Sequence, residues 1–69
     1  MENNLAILYY DNLEIEKRHC SPGEARQMAQ EALGRGIYNC KVDYIMGDYG
    51  LPTYSFVVDR GKVKKVRNE

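Results

Sequence analysis

The sequence predicts an α+β domain, a β-β-α-β-β-β chain whose strands form one antiparallel sheet with a single helix packed on one face. Three observations predict it. Segments on both sides of residues 21–36 alternate apolar and polar side chains, the two-residue period of a half-buried strand. Residues 21–33 instead repeat at the three- and four-residue spacing of an amphipathic helix. Asp11-Asn12 and Asp59-Arg60-Gly61 supply tight turns between strand-like runs, because Asp, Asn and Gly tolerate left-handed backbone.

The elements follow in order. "LAILYY" (5–10) is an apolar run without alternation and reads as a central strand. "LEIEKRHC" (13–20) turns Leu13 and Ile15 one way and Glu14, Glu16 and Arg18 the other, completing a hairpin. "SPGE" (21–24) is a capping box, with Ser21 at the N-cap, Pro22 at the first helical position and Glu24 at the third. Ala25, Met28, Ala29, Ala32 and Leu33 then form one stripe. Its small side chains predict a helix lying close to the sheet. Gly34 or Gly36 takes the left-handed position that ends it.

"IYNCKVDYIM" (37–46) places Tyr38, Cys40, Val42, Tyr44 and Met46 inward and Asn39, Lys41, Asp43 and Ile45 outward. "PTYSFVVD" (52–59) turns Tyr54, Phe56 and Val58 inward. "KVKKVR" (62–67) makes a lysine-rich edge strand, in which Val63 and Val66 share a face only if a bulge intervenes. The outer sheet face is expected to stay wet, carrying Glu14, Glu16, Arg18, Lys41, Asp43, Ser55, Lys62 and Lys64.

The 69 residues make one small domain, spanning 1–69. A chain of this size buries about 60% of its unfolded surface, which leaves little material for a catalytic pocket and its support. A non-enzymatic role is expected. Ten acidic and ten basic residues balance to a formal charge of zero, which disfavours a strong nonspecific grip on nucleic acid. The charge is uneven, however. Arg60, Lys62, Lys64, Lys65 and Arg67 stand against Glu69 alone at the C-terminal end. "MENNLAILYY" has no basic leader region, and no apolar run approaches membrane-spanning length. A cytoplasmic location and no membrane partner are the expectation.

Chemistry-bearing clusters are sparse. His19, Cys20 and Cys40 fall short of the four clustered ligands of a closed zinc site, so neither a metal nor any other cofactor is expected. His19 and Cys20 are strand neighbours facing opposite ways, which spoils a catalytic dyad. The glycines at 34 and 36 follow a helix C-terminus, where the dipole repels phosphate.

The tyrosines are more informative. Six occur, at 9, 10, 38, 44, 49 and 54, beside one phenylalanine and no tryptophan. Tyr9 and Tyr10 lie on opposite faces of one strand, so one points away from the helix. Within "MGDYGLP" (46–52), Tyr49 and Leu51 sit where a hairpin tip would normally be polar. They are the expected apolar anchors of a partner-binding loop, because tyrosine gives large rigid contact area with a polar tip. Lys62, Lys64 and Lys65 would add electrostatic orientation.

In overall layout, one capped helix on a short antiparallel sheet, the chain resembles small phage-encoded anti-defence proteins, including certain anti-CRISPR proteins. That resemblance implies an inhibitor that occupies a surface of a host effector. "SPGEARQMAQEAL" followed by "KVDYIMGDYGLPTYSFVVDRGKVKKV" is also similar to the helix-plus-hairpin of PepSY-type modules, which are usually exported.

The sequence reading is thus a binding module that occludes a protein partner. One alternative is an oligomer that holds a nucleotide at a subunit interface. A third is nucleic-acid binding through the basic C-terminal strand.

Overall fold

A computed structural model of the chain describes residues 4–47 and 52–67. Its elements are β1 (Leu5–Tyr10), β2 (Leu13–His19), α1 (Pro22–Gly34), β3 (Cys40–Ile45), β4 (Tyr54–Asp59) and β5 (Lys62–Arg67). The strands form one five-stranded sheet in the order β2-β1-β3-β4-β5, antiparallel at every pairing. This is the α+β architecture expected from the sequence. No helix among the described residues is long and apolar enough to cross a membrane.

Local chemistry accounts for the boundaries. Asp11 and Asn12 both take positive φ, 56° and 68°, as do Arg60 and Gly61 at 53° and 77°. Two successive left-handed residues match the right-handed twist of paired strands, and each pair closes a two-residue hairpin. At the helix start the Glu24 amide donates to Ser21 Oγ at 3.3 Å, while the Ser21 amide donates to Glu24 Oε1 at 3.4 Å. The capping box is therefore complete. Gly36, at φ 81°, supplies the left-handed residue after the helix.

The core lies between α1 and the inner face of the sheet. Ala25, Met28, Ala29 and Ala32 pack on Ala6, Leu8, Val42, Tyr44, Tyr54 and Phe56. Tyr44 and Tyr54 stack with ring centroids 5.3 Å apart, and Phe56 meets Tyr54 edge-on at 5.4 Å. The alanine stripe lets the helix approach closely, and the large rings of β3 and β4 fill the space it leaves. Cys20 and Cys40 are both buried in this core.

Three readings of side-chain direction need correction. Tyr38 is 63% exposed and Met46 is also exposed, because β3 begins only at Cys40 and ends at Ile45. A β-bulge interrupts β2: Leu8 pairs with Glu16 but Tyr9 pairs with Glu14, which leaves Ile15 as the extra residue. Paired residues share a face, so Glu16 and Arg18 lie on the helix side with Leu8 and Ala6 instead of on the outer face with Glu14. Finally, the outer face is not uniformly wet. Asp43 and Ser55 are only 8% and 5% exposed. In β5 the register runs without a shift, Val63 pairing with Val58 and Val66 with Ser55, so the two valines take opposite faces.

Candidate functional site

The position of α1 decides where the fold is left open. The helix lies over β3, β4 and β5, touches β1 at its margin and does not reach β2. A groove of about 230 Å³ therefore remains between α1 and β2. Leu8, Tyr10, Met28 and Ala32 line its apolar part, and Ile15 enters from the bulge. Glu16, Arg18, Glu31 and Arg35 make its polar rim.

The rim is ordered by charge. Arg18 donates to Glu16 Oε2 through Nε at 3.0 Å and Nη2 at 2.6 Å. Hydrogen bonding to Glu16, with its charge next and that of Glu31 further off, raises the Arg18 pKa above its ordinary value. Both side chains remain partly solvated, so the pair orients the rim and contributes little stability.

Beside the groove, Leu13 is 68% exposed and Ile15 is 52% exposed. Both belong to β2, which among the described residues pairs only with β1 and leaves its other backbone edge open. Exposed apolar side chains on such an edge are unusual, because edge strands normally carry charge that discourages pairing. β5 follows that rule with its lysines. β2 departs from it.

The residues expected to bind a partner are divided by the structure. Tyr49 and Leu51 lie outside the described residues. Lys62 and Lys64 pair with Asp59 and Val57 and share the outer face. Lys65 pairs with Phe56, on the helix side, where its Nζ sits 4.4 Å from the centroid of Tyr54. The three lysines do not form one patch. Cys40 pairs with Tyr10 on the inner side and His19 with Leu5 on the outer, so the sheet separates those two side chains.

Leu13 and Ile15 are the residues that sequence reasoning missed as site candidates. Their alternation marked a strand face that was expected to be covered. Nothing in the pattern says that the helix stops short of β2. A trace of the bulge is visible, since Glu16, Lys17 and Arg18 form an unbroken charged run after the alternation.

Comparison with protein-family models, curated proteins and solved structures finds no match.

Proposed function

We propose that the protein is a non-enzymatic binding module that acts by covering a surface of a protein partner, with the β2 edge and the adjoining groove as its contact site. The observation that carries this reading is the exposure of Leu13 and Ile15 on an edge strand beside a groove with an apolar floor. An extended partner segment pairing with β2 would satisfy the free backbone groups and direct an alternate side chain into the groove. The Glu16–Arg18 and Glu31–Arg35 rim offers both signs of charge, which favours a polar segment with one or two apolar anchors. Lys62 and Lys64, on the outer face near the opposite edge, would act on encounter rate more than on the bound state.

A photo-crosslinking residue at position 15 tests the site in extract from the native host. The expected result is one discrete protein adduct, lost when Leu13→Asp is added while the unfolding temperature is unchanged. No adduct from position 15, or one indifferent to Leu13→Asp, overturns the reading. Tyr49→Ala in the same assay tests the loop anchor separately, with binding weakened by about 2 kcal/mol if Tyr49 is a hot spot.

A further inference from the structure

The outer face of the sheet carries a second pattern, independent of the β2 groove. β1 is apolar on both sides. Ala6 and Leu8 enter the core under α1, whereas Leu5, Ile7 and Tyr9 point the other way. A strand apolar on both faces is the signature of a sheet covered on both faces, yet α1 covers only one. Half-buried Ile45 and Val57 and exposed Val66 extend the outer apolar surface.

Charge is arranged across this face in two rows. The registers align Glu14, Tyr9, Lys41, Val57 and Lys64 in one row across all five strands. The adjacent row is Lys17, Ile7, Asp43, Ser55 and Val66. The rows are already linked within one molecule, through Glu14–Lys17 and Lys41–Asp43, each at 3.8 Å.

We propose that this face binds a second copy of the chain, about a twofold axis that crosses the strands midway between the two rows. Such an axis lays the first row of one copy on the second row of the other. Glu14 then faces the second copy's Lys17, Tyr9 faces Ile7, Lys41 faces Asp43, Val57 faces Ser55 and Lys64 faces Val66. No like charges meet. A twofold axis parallel to the strands through β3 instead sets Lys41 on Lys41 and Asp43 on Asp43, which repel. The face is self-complementary in only one of these arrangements, and self-complementarity is what a twofold interface requires.

Size is compatible with this. Five strands about 4.8 Å apart and about 20 Å long give a face of roughly 24 by 20 Å, about 480 Å² per partner, which is below the ~600 Å² of stable interfaces and suits a weak, reversible dimer. Facing sheets pack with their strands within about 30° of each other, so the central Tyr9–Ile7 and Lys41–Asp43 contacts are least affected by twist. The buried Ser55–Asp43 hydrogen bond, 2.6 Å long, fixes the carboxylate at the middle of the face.

Sedimentation equilibrium over a concentration series tests the proposal. The wild type is expected to be a reversible dimer. Val57→Glu places a carboxylate between Lys41 and Lys64, which suits the free monomer, and is expected to abolish the dimer with the circular dichroism spectrum unchanged. Glu14→Lys and Lys17→Glu alter exposed side chains, so folding is preserved. Each variant alone should self-associate about threefold or more weakly, and an equimolar mixture should recover the affinity, because opposite charges then meet across the interface. A wild type that stays monomeric overturns the proposal. So does a dimer indifferent to Val57→Glu, which would place the contact at the β2 edge, or a mixture that shows no recovery.

Discussion

The Tyr44 hydroxyl donates a 2.7 Å hydrogen bond to the carbonyl of Cys20, 24 residues away in the chain and wholly inside the protein. It ties the C-terminal end of β3 to the junction where β2 ends and α1 begins. The position of the helix over the sheet is therefore fixed by a polar contact as well as by the alanine stripe. Tyr44→Phe keeps the ring stack with Tyr54 and removes the hydroxyl that makes this bond. We expect a loss of about 1–2 kcal/mol, read as a lower denaturant midpoint with unchanged slope.

The helix start should respond separately. Ser21→Ala removes the side-chain acceptor of the Glu24 amide and half of the reciprocal box. The expected cost is about 1 kcal/mol. Glu24→Ala should cost less, because Ser21 still caps the helix. Thermal unfolding of both variants checks the order.

On the outer face, Ser55→Ala deletes the buried donor to Asp43. Hydrogen bonds to charged groups contribute about 1.5–3 kcal/mol, so this variant should be destabilised by roughly that amount. A double-mutant cycle with Asp43→Ala should give a coupling energy of about 1 kcal/mol or more. Strict additivity would show that the pair is not coupled.

Alkaline pH should weaken the fold. Burial raises the Cys40 thiol above its ordinary 9.0 and the Tyr54 phenol above its ordinary 10.0. Tyr9 is raised as well, by burial first and then by Asp43 and Glu14. Each group keeps its proton longer when folded than when unfolded. Their contribution is thus complete below the unfolded values and is lost as pH rises through the folded ones. Unfolding temperature should be flat from neutral pH to about 9 and fall beyond it, with Cys40→Ala delaying the onset.

Much of this architecture is written in short-range pattern. The Ser21–Glu24 box, the two left-handed turns and the alternation of Cys40, Val42 and Tyr44 are local choices, and each was legible. The candidate site was much less so. Exposure of Leu13 and Ile15 depends on how far α1 lies from β2, which is set by packing against Tyr44 and Phe56 and not by the sequence of β2. The bulge at Ile15 moved Glu16 and Arg18 to the helix side, and strict alternation up to Glu16 concealed it. Asp43 and Ser55 read as solvated because their register is outward. Their burial comes from neighbours on other strands, which a single-strand pattern does not contain.

The strand order has a kinetic consequence. Among the described residues, β1–β3 is the one pairing whose strands are not consecutive along the chain. The β1–β2 hairpin and the β3–β4–β5 meander can each zip up from a short connection within microseconds. Joining them requires closing the excursion through residues 11–39, and pairings of large sequence separation form slowly. The Tyr10–Cys40 end of that seam lies nearest its shortest remaining closure, with the Asp11 amide already donating to the Asn39 carbonyl at 2.9 Å. Substitutions at this corner should therefore change the rate of folding more than the rate of unfolding, whereas those at the β5 edge should do the reverse.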